Sequence, residues 1–429
     1  MIRYAMNDLI KWKEDPARKP LLIKGARQVG KTWLMKAFGE QYFQKTAYIN
    51  FDNNPNMKKA FEEDYDIERL LLAINIEAKV SVSPDDTLII FDEVQEAPKA
   101  IAALKYFYEN APEYAVIVAG SLLGVAIHEG VSFPVGKVDI LELHPLSYRE
   151  FLEAMGEKEL ADLIRSENYE LMTAFKSKLI HWLKNYYYIG GMPEVVQNFV
   201  LHKDYIKVRK IQNDIIEMYE NDFSKHTSIG ELPRIRMVWN SIPMQLAKEN
   251  KKFFFGQIRE GARLKDFEMA IEWLCDCGLI KRVYRVNKPA IPLKAYTEFS
   301  AFKLFLLDVG LLGALSELDD RSILQGIDIF TEFKGALTEQ YVHQQLISDT
   351  EYTPYYFAPQ NSTVEIDFIV QKNSNIVPVE VKAEENLRAK SLKCFCEKYQ
   401  PEYAVRTSMS DYRRRDWITN IPLYAISNL

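Results

Sequence analysis

Eight consecutive residues, Gly25-Ala26-Arg27-Gln28-Val29-Gly30-Lys31-Thr32, have the types and spacing of a phosphate-holding loop. The apolar run Pro20-Leu21-Leu22-Ile23-Lys24 before them reads as a strand, and Trp33-Leu34-Met35-Lys36-Ala37-Phe38 after them as a helix. Glycines in such a loop let backbone N–H groups turn inward around phosphate oxygens. The helix that follows aims the positive end of its dipole at the same point. Lys31 would then reach the β- and γ-phosphates, and Thr32 would offer its hydroxyl to Mg²⁺. All eight residues are the expected contacts for ATP. A Gly-punctuated turn with no ligand is the plain alternative.

A second group lies downstream. Leu88-Ile89-Ile90-Phe91 is a short apolar run of the kind buried on both faces of a sheet, and Asp92-Glu93 closes it. Carboxylates at a strand's carboxyl end stand where open α/β sheets bind ligands. Asp92 is the expected Mg²⁺ ligand and Glu93 the residue that orients or activates water. An acidic pair that merely favours a helix N-terminus is the alternative. Ala115-Val116-Ile117-Val118-Ala119 reads as a further strand ending in Gly120-Ser121. Ser121 is a candidate sensor of the γ-phosphate, or else a turn serine.

A third group sits near the carboxyl end. Val364–Val370 and Ile376–Lys382 alternate around a polar turn and read as a β-hairpin. Reflection about Asn373–Ser374 sets Asp367 opposite Glu380, with Lys382 on the same face. Facing carboxylates repel. A divalent cation offsets that repulsion with oxygen ligands from Asp367 and Glu380, and Lys382 would steer a water beside it. A solvated strand face with Lys382 neutralising Glu380 accounts for the pattern equally well.

These groups need scaffolds. Strands at 46–51, 88–93, 115–119 and 138–143, with the one before the loop, predict a mostly parallel sheet covered by helices, including a helical stretch over 55–80. Ser147 with Glu150 three residues on is a capping box that starts a helix. Helices continue to about Asp222, broken at Ile189-Gly190-Gly191-Met192-Pro193. Between Lys225 and Lys294, fourteen basic against seven acidic residues leave +7 within a chain of net charge −6. There the spacing predicts a helix at 232–248, a strand at Phe253–Phe255, a helix at 264–276, and strands at Leu279–Val286 and Leu293–Thr297. That order is a winged-helix pattern, suited to a nucleic-acid groove or to protein contact alone.

Composition limits the classes. A chain of 429 residues exceeds one ordinary core. No run approaches the length and apolarity of a membrane span, and the N-terminus lacks a signal-peptide pattern, so a cytoplasmic protein with no membrane partner is expected. Cys275, Cys277, Cys394 and Cys396 pair at the wrong spacing for zinc and read as reduced thiols.

The loop Gly25–Thr32, Phe91-Asp92-Glu93-Val94-Gln95 and Pro145-Leu146-Ser147-Tyr148-Arg149-Glu150-Phe151 resemble prokaryotic AAA-type ATPases with a restriction-endonuclease-like C-terminal domain. Tyr188–Pro193 and Phe305-Leu306-Leu307-Asp308-Val309-Gly310-Leu311 fit the same pattern, so the resemblance spans the chain. It implies an α/β multidomain protein: an AAA-type ATPase at 1–145, a helical lid or connector at 146–223, a winged helix at 224–315 and a PD-(D/E)xK nuclease-like domain at 328–429. On it, Glu339 matches the helix glutamate, Asp367 the metal aspartate, and Glu380 and Lys382 the E-x-K element. Ile366 stands where the motif's name has proline. Phe133–Lys137 lies where relatives place Gly-Arg, which leaves Lys137, Arg149 or no residue of this chain for an arginine finger. The expected activity is Mg²⁺-dependent ATP hydrolysis coupled to DNA, bound through the winged helix and the C-terminal domain. Lys31, Glu93 and Ser121 serve one catalytic site, and Glu339, Asp367, Glu380 and Lys382 the other. The alternative is a nucleotide-switched DNA- or protein-binding module with a non-catalytic nuclease fold. Self-association is compatible with either.

Overall fold

The computed structural model describes residues 2–121, 133–228, 230–248, 252–319, 331–359, 364–385 and 389–429. Met1, Glu249, Lys251 and residues 328–330, which enter the expected domain bounds and charge balance, lie outside them. The chain forms two compact units. One holds Arg3–His144 with Asp276–Gly278, and the other holds Ile2 with the described residues of Pro145–Cys275 and Leu279–Leu429. Among the described residues, no helix is long and apolar enough to cross a membrane.

In the first unit, strands β1 (Leu21–Lys24), β2 (Lys45–Asn50), β3 (Thr87–Asp92), β4 (Ala115–Ala119) and β5 (Asp139–Glu142) form one sheet. Its order is β2-β3-β4-β1-β5 and every neighbouring pair is parallel. All of β3 and β4 is buried, as continuous apolar runs require in a sheet covered on both faces. β4 lies between β1 and β3. Their carboxyl ends therefore stand side by side, with Ser121 between the loop and the acidic pair. Phe51, Phe61 and Phe91 pack pairwise at 5.5, 5.7 and 5.4 Å, tilted toward edge-to-face. The helical stretch at 55–80 is two helices, Pro55–Glu63 and Ile67–Ala78. Asp66 separates them, because its carboxylate accepts the Arg69 N–H at 2.8 Å and caps the second.

The second unit opens with the capping box of Ser147 and Glu150, present in both directions. The helix Lys176–Ile189 stops at Gly190, whose φ is +74°. A Cβ at Gly190 would stand 2.1 Å from the Asp308 carboxylate. Asp308 accepts the Gly191 N–H at 2.6 Å, the Leu311 N–H at 3.0 Å and the Gln344 side chain at 3.1 Å. The two sequence patterns around Gly190 and Asp308 are thus one joint. Asp308 is fully buried, and burial pushes its carboxyl up while those donors hold it down. Asp308→Ala leaves several buried donors unpaired, so urea unfolding should show a loss of about 3 kcal/mol. An unchanged midpoint would contradict this reading of the joint.

A second sheet holds β6 (Ile280–Val286), β7 (Thr297–Leu306), β8 (Tyr355–Phe357), β9 (Ile366–Lys372), β10 (Asn375–Val381), β11 (Val405–Ser408), β12 (Arg413–Arg415) and β13 (Ile418–Pro422). Its order is β12-β13-β11-β10-β9-β8-β6-β7. This corrects the expected winged-helix strands in three ways. Phe253–Phe255 is not a strand: Phe253 makes a single backbone bond to Phe302, and Phe255 begins a short helix to Ile258. Leu293–Tyr296 is a 3₁₀ turn, and the returning strand is Thr297–Leu306, whose last six residues are buried throughout. Moreover β6 pairs in parallel with β8, at Arg285↔Tyr356 and Val286↔Phe357, so the hairpin belongs to the C-terminal sheet. Pairing covers an edge that β8 would otherwise leave open.

The predicted C-terminal hairpin is present as β9 and β10. Asn373 and Ser374 turn it with φ of +47° and +64°, the sign both central residues of a tight hairpin turn adopt. The helix Thr331–Asp349 packs against this unit, with Leu337 through Leu346 buried on all sides.

Candidate functional site

The loop between β1 and the helix Lys31–Tyr42 has glycine where only glycine fits. Gly25 has φ +152°, and a Cβ there would lie 2.4 Å from the Leu143 carbonyl oxygen. Gly30 caps the helix with φ +96°. Lys31 is buried and donates to the carbonyls of Gly25 at 2.8 Å and Ala26 at 2.7 Å. Burial lowers its pKa to about 8, against the pull of Glu93 and Asp92.

Asp92, at the end of β3, accepts the Thr32 hydroxyl at 2.7 Å and the Tyr48 hydroxyl at 2.9 Å. Burial and then Asp92 push the Tyr48 hydroxyl well above its usual pKa, so it stays a donor. Glu93 follows in the left-handed region at φ +51°, a strained conformation for a residue with a side chain. Its carboxylate accepts Gln95 at 2.6 Å and the Ser121 hydroxyl at 3.3 Å. Ser121 in turn accepts the Arg27 Nε–H at 3.1 Å. Arg27, Ser121, Glu93 and Gln95 are therefore one hydrogen-bonded chain joining the loop to the acidic pair.

Lys31, Thr32, Asp92, Glu93 and Ser121 thus meet around one end of the parallel sheet. Sequence reading missed Tyr48 and Gln95. The alternation of β2 carried a signal for Tyr48. Asn50 pairs with Asp92, so Tyr48, two residues back, faces the same side. Thr32 and Asp92, a hydroxyl and a carboxylate in contact at the phosphate loop, fit the donor set for Mg²⁺. Of the two residues with a claim to an arginine-finger role, Lys137 pairs with Glu109 at 3.1 Å and Arg149 with Asp349 at 3.0 Å.

The protonation of Lys31 gives a test. Phosphate needs the charged ammonium, and the ammonium is lost as pH rises through about 8. ATP affinity, titrated by fluorescence, should fall on raising the pH through that value. Affinity unchanged well above it would show that Lys31 does not carry the contact.

In the second unit, the hairpin register runs through Val379↔Phe368, so Glu380 faces Asp367 at the next pair. Asp367 accepts the Val381 N–H at 2.8 Å, and Glu380 pairs with Lys382 at 2.7 Å. The unforeseen member is Lys303 on β7. It is fully buried, 2.7 Å from Glu365 and 3.7 Å from Glu339. Burial pulls its pKa down, but Glu339, Glu365 and Asp367 together drive it above the usual lysine value. On the other side, Arg406 stands opposite Glu380 in the β10–β11 register. The carboxylate repulsion expected at the hairpin is offset by Lys303, Lys382 and Arg406. Among the described residues, no three acidic, histidine or cysteine side chains converge as a metal cage. Asp367 and Glu380 thus stand opposite each other within an ion-pair network that includes Lys303, Lys382 and Arg406.

Two arginines of the basic stretch have carboxylate partners within the protein. Arg285 forms a two-pronged pair with Glu298, at 2.7 and 3.0 Å, and Arg282 pairs with Glu272 at 2.8 Å. Both guanidiniums face carboxylates of the protein itself rather than standing open as groove contacts.

Comparison with known proteins bears on the N-terminal unit. Residues 17–152 match the family described as an AAA domain. The N-terminal unit is P-loop ATPase-like, a parallel α/β sheet with the phosphate loop after its first strand. Residues 180–322 and 334–426 match two families described as domains of unknown function, DUF8612 and DUF4143. No curated protein matches the chain. Among solved structures, a Walker-type ATPase of Pyrococcus abyssi is 15% identical with a TM-score of 0.45, covering 72% of this chain and 94% of its own. The Aeropyrum pernix ORC1 protein in complex with DNA is 15% identical with a TM-score of 0.28, covering 74% and 93%. AMPPCP-bound DnaA from Aquifex aeolicus is 16% identical with a TM-score of 0.28, covering 64% and 88%.

Proposed function

We propose that the chain binds and hydrolyses ATP and uses that cycle to control a nucleic-acid-binding C-terminal unit that does not cut. The observation that carries the first part is the meeting of Lys31, Thr32, Asp92, Glu93 and Ser121 at the carboxyl ends of β1, β3 and β4. ATP enters along the backbone N–H groups of Gly25–Thr32. Lys31 exchanges the Gly25 and Ala26 carbonyls for phosphate oxygens. Thr32 and Asp92 would hold Mg²⁺, which supplies charge neutralisation at the β- and γ-phosphates. Glu93 orients the attacking water and takes up its proton. Gln95 and Ser121 hold the Glu93 carboxylate before the γ-phosphate arrives, and Arg27 holds Ser121.

The two expected readings of the C-terminal unit differ in whether it cleaves. Lys303 favours the binding reading, because its ammonium supplies the positive charge that a metal would otherwise bring to Glu339, Glu365 and Asp367. We read 1–145 as the ATPase part and 146–223 as a helical connector. The segments 224–315 and 328–429 form one module, since β6 and β7 extend the sheet of β8 to β13.

The test is an ATP turnover assay run beside a cleavage assay, on single- and double-stranded DNA with Mg²⁺ or Mn²⁺. ATP turnover without DNA cleavage supports the reading. Cleavage abolished by Asp367→Asn would overturn the second part. Absence of any ATP turnover would overturn the first.

A further inference from the structure

The other edge of the C-terminal sheet carries a feature that the ion-pair network does not use. β12 is three consecutive arginines, Arg413, Arg414 and Arg415, all exposed. Among the described residues none of the three is in an ion pair. A two-residue turn, Asp416-Trp417, joins them to β13, and Trp417 is 39% exposed at that tip.

The register shows what lies behind them. Arg413 faces Asn420 on β13, Asn420 faces Arg406 on β11, and Arg406 faces Glu380 on β10. Residues paired across strands share a face, so Arg413, Asn420, Arg406 and Glu380 form one row. Arg415, two residues from Arg413, is on that face as well, roughly 7 Å further along the strand. Arg406 is buried, with its Nε–H fixed on Asn420 at 2.9 Å. Burial, then the nearness of Arg415 and Arg413, lowers its pKa against the pull of Glu380. The arginines therefore crowd one another at the rim of a chain whose net charge is −6.

A charged edge strand can serve only to prevent sheet-to-sheet pairing. That purpose needs one charge, not three in succession, and it gives no reason to expose a tryptophan beside them. We propose that the β12 edge and the Trp417 tip form a binding site for single-stranded nucleic acid. Arg413 and Arg415 take successive phosphates, and one base stacks on the Trp417 indole. Exposed cations along a strand with an adjacent aromatic platform are the two ingredients of such recognition. An intact duplex offers the phosphates but keeps its bases stacked, so it satisfies only the arginines. This rests on the reading that nucleic acid is the partner of the C-terminal unit. It does not depend on ATP hydrolysis.

The test uses the full chain without nucleotide and fluorescein-labelled oligothymidylate, read by anisotropy over a salt series. A matched duplex and phosphatidylserine vesicles are run in parallel. Binding of the single strand should fall linearly in log–log against salt. Arg413→Ser with Arg415→Ser should flatten that slope by about 2, one for each phosphate contact removed. Trp417→Ala should weaken the single strand by about ten- to a hundredfold, leave the duplex unchanged, and be restored by Trp417→Phe. ATP turnover by these variants should match the wild type, which separates failure of this site from failure of the ATPase reading. Single-strand affinity unaffected by all three substitutions would overturn the proposal. So would a duplex bound as tightly as the single strand, or vesicles bound through the same residues in its place.

Discussion

Glu93→Gln should leave the protein able to hold ATP and nearly unable to hydrolyse it. Removing a positioned general base typically costs about 10²–10⁴-fold in rate. Glutamine keeps the shape of Glu93, and its carbonyl oxygen still accepts from Gln95, so binding should stay within a few-fold. Lys31→Ala should fail differently. It removes the cation that leaves the Gly25 and Ala26 carbonyls for phosphate, and affinity itself should fall by more than tenfold. Isothermal titration with a non-hydrolysable ATP analogue, set beside steady-state phosphate release, separates the two. Equal losses of binding in both variants would mean that Glu93 is a structural partner of Gln95 and Ser121 rather than a base.

The second large effect is expected at Lys303. Lys303→Met nearly preserves volume but strands Glu339, Glu365 and Asp367 around a buried apolar side chain. Breaking a buried ion pair from one side costs about 3–5 kcal/mol. The pH dependence has a definite sign. Lys303 has its pKa raised in the fold, so its contribution is complete below the unfolded lysine value of 10.5 and fades only as pH rises through the higher folded value. Across neutral pH the wild type therefore shows no loss from this group. The variant should recover stability as the pH falls, because protonation relieves the repulsion among the three carboxylates. It should also gain affinity for Tb³⁺, read by luminescence, since the cluster would then lack its own cation. A wild type that binds Tb³⁺ at this cluster as well as the variant does would contradict the ion-pair account.

Local signals carried the nucleotide end of the protein into view. The loop, the apolar runs and the terminal acids are each short in sequence, and the sheet brings them together because β4 lies between β1 and β3. Ser147 with Glu150 was legible for the same reason, as both halves of its motif lie within one turn. The mirror register of Asp367 and Glu380 could be counted from the turn alone. What could not be counted was any partner arriving from far along the chain. Lys303 lies on β7, and no pattern near Asp367 points to it. The charge count over 225–294 could not show the partners of Arg282 and Arg285, because their carboxylates come from a neighbouring helix and strand. The returning strand was misplaced because Thr297–Leu306 draws its strength from pairing with β6, a tertiary effect that outweighs local propensity. Gln95 stands in the motif that begins at Phe91 and Tyr48 in the alternation of β2, but their bonds to Glu93 and Asp92 come from the fold.

The most direct measurement is a single-turnover experiment with γ-³²P-ATP and Mg²⁺, protein in excess, comparing the wild type with Glu93→Gln. The wild type should release labelled phosphate from the bound nucleotide, while Glu93→Gln should retain intact ATP over the same interval. ATP bound but left intact by the wild type, or released as phosphate equally fast by Glu93→Gln, would contradict the assignment of hydrolysis to this site.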